Sequence, residues 1–482
     1  MAVSDKISGY LRSLIGEESF SRYIDYIGTP LKTYIRINTL KTDFESLSQR
    51  LSRYYSIELK PHESVPGCWE VVSDPDRQTG KTLEHSLGHY YIQSLSSMIP
   101  PLVLNPQPGE KVLDLCAAPG SKSTQLAALM QNKGFLALNE IQADRVRILT
   151  YNAERMNLVN SGVIHQRAEW LANEFIEYFD KILVDAPCSG LGILSKKDEV
   201  NNWWNQNNVT KLAALQNQIL ISAIKMLKPG GEIVYSTCTM TYEENEELIT
   251  RILEKYPVKL EEVELPLKSA PGISEFDGRV SSSEISMTKR LLPWEILSEG
   301  FYIARLRKTG SVPLPGKYVR PKPFPDFIKK NQYKKALDSL ARHFGMPVDI
   351  FERYSFNLKG NKLYFSVNTD NQFVPSVFQR IGLKFATIDK KGDAVLHSLA
   401  AQHLDKYITA SVIDLEDVAK AKVYLEGGTV QQTAVNNDDI SGSERQVAVR
   451  YNGLMLGTAV MTRQGLKSQF PKAHRIQNFT VR

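Results

Sequence analysis

Between residues 110 and 256 short apolar runs alternate with longer stretches of helical spacing. "KVLDLCA" is a short apolar run ending in Gly and Pro, and "KSTQLAALMQ" after it has the spacing of a helix. "GFLALNE" reads as the next strand and "ADRVRILTYNAERMN" as its helix. "GVIHQR", a helical stretch, and the buried run "KILVDAP" follow. "KLAALQNQILISAIKML" is a long amphipathic stretch, "KPGGEIVYSTC" a turn and a strand, and "ENEELITRILEKY" another helix. Strands that alternate with helices predict a parallel sheet wound with helices on both faces. "GFYIARLRK", near residue 300, reads as a late edge strand.

The flanks have a different pattern. In residues 1–83, "ISGYLRSLIG" has helical spacing, while "TYIRINTL" and "CWEVV" alternate like strands, predicting a small α+β unit. Residues 84–99, "EHSLGHYYIQSLSSMI", predict a helix that opens the central domain, taken as residues 84–308. Residues 309–335 are rich in proline and lysine and read as a linker. Beyond it, in residues 336–482, the runs "KLYFSV", "GLKFATI" and "LMLGTAVMT" suggest a small α+β or β-barrel-like region.

Composition adds limits. The 482 residues are 42% hydrophobic and 23% charged, which suits an ordinary globular protein. No apolar run of about 18 residues suggests a membrane span. The start, "MAVSDKISGY", lacks the basic-then-apolar pattern of a secretory signal, so a cytoplasmic location is expected. The net charge of +6 is uneven: residues 311–482 carry 25 Lys and Arg against 15 Asp and Glu. That asymmetry points to a polyanionic partner for the C-terminal region, against the plainer reading of a solvated basic surface.

In open α/β sheets, ligands sit at the carboxyl ends of the strands. The first such loop is "DLCAAPGSKS", where Ala117, Ala118 and Gly120 allow close approach to the backbone. The glycine fingerprints for dinucleotides and for nucleotide triphosphates are both absent, which disfavours a pyrophosphate. Glu140 stands 20 residues beyond Gly120, where a carboxylate commonly takes ribose hydroxyls. A nucleoside without phosphates suits both features, and S-adenosylmethionine is one. No metal site is expected, because the four cysteines form no CxxC pair.

Cys188 in "DAPCSG" and Cys238 in "YSTCT" end two of the predicted strands, with Asp185 just before the first. Isolated thiols are ordinarily core fillers, and a disulfide between these two is disfavoured in a reducing compartment. At strand ends they would instead open onto the same crevice as the first loop. Beside a methyl donor, a thiolate adding to C6 of cytosine would make C5 nucleophilic, which is covalent catalysis. A carboxyl such as Asp185 would hydrogen-bond the base.

"DLCAAPGSKS", "NE", "DAPCSG" and "YSTCT…EENEE", with "GHYYIQSLSSM" before them and "RLLPW…EGFYIARLRK" after, resemble in order the motifs of the RNA 5-methylcytosine methyltransferase family of the Sun/NSUN type. The resemblance spans roughly residues 25–308. It implies a Rossmann-like class I methyltransferase with a parallel, doubly wound sheet, and S-adenosylmethionine as cofactor. It implies Cys238 as nucleophile, Cys188 as the residue assisting product release, and Asp185 in contact with cofactor or target base. Cys116, Ala117, Ala118, Pro119, Gly120, Ser121 and Lys122 would surround the methionine part of the cofactor, and Glu140 its ribose. One position departs: the family carries an Asp near the adenine, and the aligned residue here is Arg167, with Glu169 two residues on. The length and the C-terminal extension resemble family members that act on small-subunit ribosomal RNA and carry a PUA-like extension.

The expected partner is therefore RNA, foremost ribosomal RNA in an assembling or assembled small subunit, with no DNA and no membrane, and the chain acting as a monomer. The same chemistry on tRNA, and a non-catalytic RNA-binding assembly factor, are the alternatives. A cytosine must be flipped out or already unpaired to expose C6. Lys317, Arg320, Lys322, Lys329 and Lys330 with Tyr318 and Phe324, and Lys467, Lys472, His474 and Arg475, are the candidate phosphate and base contacts. Arg36 and Asn38 have either a structural or an RNA-facing role, and "NNWW" either seats a helix or flanks the target.

Overall fold

A computed structural model describes residues 3–196, 199–313, 322–324, 333–367, 374–390, 392–431 and 446–475. Helix α1 (Asp5–Ile27) leads into an antiparallel sheet of β1 (Tyr34–Ile37), β2 (Glu58–Pro61), β3 (Cys68–Ser73) and β4 (Tyr90–Ile92), in the order β2-β3-β1-β4. Helix α2 (Phe44–Tyr55) packs on it through Leu47, Leu51 and Tyr55. Asp43 caps this helix, its side chain accepting from Ser46 N at 2.8 Å.

The segment expected to be one helix over residues 84–99 is not one. It forms a short turn of helix (Leu83–Ser86), then β4, then a turn of 3₁₀ helix (Ser96–Met98). Gly88 breaks it. Its φ is +74°, and a Cβ there would lie 2.1 Å from the carbonyl oxygen of Arg155. Only glycine tolerates that close approach, and the chain then turns to pair β4 with β1.

The central sheet follows. β5 (Lys111–Asp114), α3 (Ser121–Leu129), β6 (Phe135–Asn139), α4 (Ala143–Arg155), β7 (Ser161–Ile164), β8 (Phe179–Asp185), α5 (Gln206–Met226), β9 (Leu227–Thr237) and α6 (Glu246–Lys255) alternate as the sequence predicts. The parallel strands lie in the order β9-β8-β5-β6-β7. This is the doubly wound arrangement, reversing direction between β5 and β8. The strand Phe301–Lys308 is not an edge. It pairs antiparallel with β9 on one side and with Val258–Glu261 and Lys289–Leu291 on the other. Large apolar clusters fill both faces, one around Ile182, Ile224 and Tyr302, the other around Leu136, Leu183 and Ile303.

The C-terminal region is built into this sheet. Its strand Phe378–Ile381 pairs antiparallel with β7. Pro323 bridges Pro375, and Phe324 N donates to Val374 O at 2.7 Å, so this short stretch also lies against the core. "KLYFSV" and "GLKFATI" fall in a four-stranded sheet, and "LMLGTAVMT" in a five-stranded one. No described helix is long and apolar enough to cross a membrane. Among the described residues no group of three or more His, Cys, Asp or Glu is placed to hold a metal.

Phe378 is 5% exposed, with its ring 5.3 Å from that of Phe135 and 5.8 Å from that of Phe175. Gly162 leaves it room, since a Cβ there would lie 2.7 Å from the ring. Phe378→Ala should therefore cost roughly 3–5 kcal/mol of stability, read as a lowered urea midpoint. A loss below about 1 kcal/mol would show that this strand is not part of the core.

Candidate active site

The reversal between β5 and β8 opens a crevice at the carboxyl ends of the strands. Three loops border it. The first runs from Asp114 to Ser121. Gly120 has φ +107° and introduces α3, a conformation that favours glycine. The loop is tied from outside: Asn152 Nδ2 donates to Pro119 O at 2.8 Å, and Arg145 donates to Ala118 O at 2.5 Å. Arg145 also pairs with Glu140 at 3.3 Å, joining the ribose-side candidate to the loop. Arg36, fully buried, donates to Thr124 Oγ1 at 2.7 Å and to Ser121 O at 3.3 Å. Its role is to brace α3. Asn38 is likewise internal, donating to Gly88 O and Met156 O.

The donor set fits a nucleoside cofactor. Ala117 and Ala118 are buried and small, and Glu140 is 3% exposed with its carboxylate at the end of β6. Two buried acceptors, Asp114 Oδ1 and Asn139 Oδ1, at the carboxyl ends of β5 and β6, have no side-chain donor among the described residues. Buried polar atoms are rarely left so, and both can accept from a bound ligand. Burial pushes Asp114 up to about 7, against the hydrogen bond it accepts from Ser123 Oγ at 2.6 Å. Burial also pushes the Cys116 thiol far up.

The second and third loops follow β8 and β9. These strands are parallel neighbours with Asp185 opposite Ser236, so their loops leave the sheet side by side. Cys188 Sγ and Cys238 Sγ lie 2.9 Å apart as free thiols, well beyond a bond of about 2.05 Å. Lys122 reaches across from α3. Its Nζ donates to Asp185 Oδ2 at 2.7 Å, and Ser236 Oγ donates to Asp185 Oδ1 at 2.8 Å. Both carboxylate oxygens are thus engaged, and Asp185 acts first as the anchor of Lys122. Burial pulls the Lys122 ammonium down, but Asp185 and Cys238 outweigh it and hold it above its ordinary value. The contact with Cys238, followed by burial, pushes the Cys188 thiol far up.

These pieces confirm the convergence of Cys188, Cys238, Asp185 and Lys122 that strand order implied. Arg167 stands apart: it pairs with Glu169 at 2.6 Å and lies over the Trp170 ring at 4.9 Å. Trp204 is buried against α1, while Trp203 remains 39% exposed. His474 is buried and bonded to Glu154 at 3.0 Å, so it locks the C-terminal segment to α4 and is no phosphate contact. Lys317, Tyr318, Arg320, Lys329 and Lys330 lie outside the described residues. Sequence reasoning missed Asp114, Arg145, Asn152 and Ser236. Asp114 and Ser236 stand inside the quoted motifs, and Arg145 and Asn152 in the helix after "NE", so position alone could have signalled them. Size is no guide to the site: a cavity of about 530 Å³ lies at the other ends of β6 and β7, lined by Lys41, Lys133 and Lys406 among others.

Gly192 pins the two thiol loops together. Its N donates to Cys238 O at 3.0 Å, and its O accepts from Gly300 N at 2.9 Å. A Cβ here would lie 2.5 Å from Gly300 O and 2.8 Å from Cys238 O. Gly192→Ala must displace Cys238, and methyl transfer should fall about a hundredfold. Unchanged turnover would show that the Cys238 backbone need not sit where it does.

The family model described as 16S rRNA methyltransferase RsmB/F matches residues 101–307. Ribosomal RNA small subunit methyltransferase F of Shewanella loihica is 33% identical, over 94% of this chain and 91% of its own. The tRNA (cytosine(49)-C(5))-methyltransferase of Pyrococcus abyssi is 39% identical, over 59% of this chain and 90% of its own. A solved methyltransferase homologue from Pyrococcus horikoshii is 32% identical with a TM-score of 0.56, covering 63% of this chain and 95% of its own. The chain therefore belongs to the RsmB/F family of 16S rRNA methyltransferases, and it is an RNA methyltransferase whose methyl donor is S-adenosylmethionine.

Proposed function

We propose that this chain methylates C5 of a cytosine in small-subunit ribosomal RNA, through a covalent bond from Cys238 to C6. The observation that carries the chemistry is the pair of free thiols 2.9 Å apart, next to the Lys122–Asp185 ion pair at the crevice. An oxygen or nitrogen methyl acceptor would need no thiol, whereas a carbon acceptor as weak as cytosine C5 needs prior activation. Bound S-adenosylmethionine supplies an electrophilic methyl group.

The residues divide the work as follows. The Lys122 ammonium supplies positive charge beside the Cys238 sulfur, and Asp185 holds that ammonium in place. The thiolate adds to C6, and the ring electrons move toward C5, which takes the methyl group. The C5 hydrogen then leaves as a proton, the double bond reforms, and the pair of the S–C6 bond returns to Cys238. Cys188, still a thiol, donates a hydrogen bond to the departing sulfur. The loop after β5 and the buried Glu140 hold the cofactor, and Arg167 with Glu169 borders its adenine side.

Ribosomal RNA is favoured over tRNA by the extent of match. The rRNA-named relative aligns along 94% of this chain, the tRNA-named one along only 59%. The C-terminal region, with its excess of basic residues, would hold the RNA backbone without reading sequence. A cytoplasmic location and action as a monomer complete the reading.

Cys238→Ala should abolish methyl transfer, measured with labelled S-adenosylmethionine; full residual activity contradicts the nucleophile. Cys188→Ala should accumulate a protein–RNA adduct, seen as a slow band on a denaturing gel. Normal turnover without that band contradicts its role in release. Bisulfite sequencing of RNA from cells with and without the protein should show one 16S cytosine that loses protection. A lost tRNA position would replace the rRNA assignment.

A further inference from the structure

Two thiols in contact present a problem of choice. At 2.9 Å only one of Cys188 and Cys238 can ionise readily, because two adjacent thiolates repel. The charge of Lys122 lies on the Cys238 side. On the other side lies a group that the sequence motifs quote but give no task, Glu244 in "EENEE".

Glu244 is fully buried between the two thiol loops. Its Oε1 accepts from Ser189 N at 2.9 Å, the amide directly after Cys188. Its Oε1 also accepts from Gln216 Nε2 at 2.8 Å, and the same amide donates to Pro187 O at 2.8 Å. Its Oε2 accepts from Thr241 Oγ1 at 2.6 Å, in the Cys238 loop, and from Ser189 Oγ. Ser189 Oγ also meets Thr239 Oγ1 at 2.8 Å, the residue after Cys238. The Glu244 carbonyl accepts from Tyr235 OH at 2.8 Å. Every side chain or amide that meets the carboxyl group offers a donor. An ionised carboxylate, which only accepts, satisfies all of them; burial raises Glu244 above the ordinary carboxylate value, and these hydrogen bonds oppose that rise.

We propose that Glu244 is a positioning residue that gives the two thiols unequal roles: its carboxylate, bonded to the amide after Cys188, keeps Cys188 as a thiol, and Cys238 ionises beside Lys122. The charged and titratable groups facing Cys188 are Asp185 from β8, Tyr235 from β9, and Cys238 and Glu244 from the third loop; α5 contributes only the neutral Gln216. Asp185 is neutralised in part by Lys122, so Glu244 is the anion without a cationic partner among the described residues. A negative charge there disfavours a second negative charge on Cys188, which agrees with the raised position of that thiol. A proton is thereby kept on the residue that must donate to the departing sulfur.

The inference rests on the proposed division between the thiols, and its test needs neither RNA nor turnover. The full-length protein is treated with iodoacetamide across a pH series, and each cysteine is followed by mass spectrometry. In the native chain Cys238 should label first. In Glu244→Gln the Cys188 labelling midpoint should move down by about one pH unit, so that it labels about tenfold faster near neutrality. Glu244→Asp keeps the charge and should restore slow labelling of Cys188 even where turnover falls. Cys68, buried away from the carboxylate, reports on folding and should stay unreactive in both variants. If Cys188 labels first in the native chain, or if Gln and Asp change it equally, the assignment is overturned. Failed methylation of cytosine in a chain with the expected labelling would count against the reaction and not against Glu244.

Discussion

The pairing of β8 with β9 is the constraint on which the site depends. The two are adjacent parallel strands whose carboxyl ends lie side by side, with Asp185 opposite Ser236. Chains that leave neighbouring parallel strands must run side by side for a few residues. Three residues past Asp185 and two past Ser236, the chain places Cys188 and Cys238 in contact. Residues 50 apart in sequence thus become one reactive pair. Nothing in that contact depends on cysteine chemistry; the sheet register brings it about.

The rest of the molecule holds this register against disturbance. α1 covers the outer side of the two loops, with Tyr23 OH donating to Leu191 O at 2.7 Å and Tyr10 OH to Glu243 at 2.6 Å. Arg290 and Glu246, both buried and paired at 2.5 Å, fix the start of α6 just after the Cys238 loop. Breaking such a buried pair leaves an uncompensated charge, which is far costlier than the pair is stabilising. Arg36 ties the N-terminal sheet to α3, so the cofactor loop is braced by an element outside the central domain.

The alternation of strands and helices was legible because the strands carry short, fully buried apolar runs, at residues 112–113, 135–138, 182–184 and 233–235. The strand-end placement of Cys188, Cys238 and Asp185 followed from the same pattern. The failures share a cause in tertiary contact. "EHSLGHYYI" has helical spacing, but the approach of the Arg155 carbonyl to Gly88 is invisible locally. "GFYIARLRK" looked like an edge because its outer partners, Val258–Glu261 and Lys289–Leu291, are short and half charged, with no apolar run to mark them. His474 looked like a basic contact, yet Glu154 captures it; there burial is opposed by Arg380 and His474, which hold the carboxyl down to about 2. Glu244 sat in plain view as one of four acidic residues, and only the fold shows which of them meets Ser189.

The proposed reaction rests on one bond, between Cys238 Sγ and C6 of a cytosine. Substrate RNA containing 5-fluorocytosine cannot lose its C5 substituent as a proton, so the adduct should persist after methyl transfer. Digestion of that complex followed by mass spectrometry should place the methylated fluorocytosine on the peptide that contains Cys238. A nucleotide attached to the Cys188 peptide, or methylated RNA with no adduct on either cysteine, would contradict it.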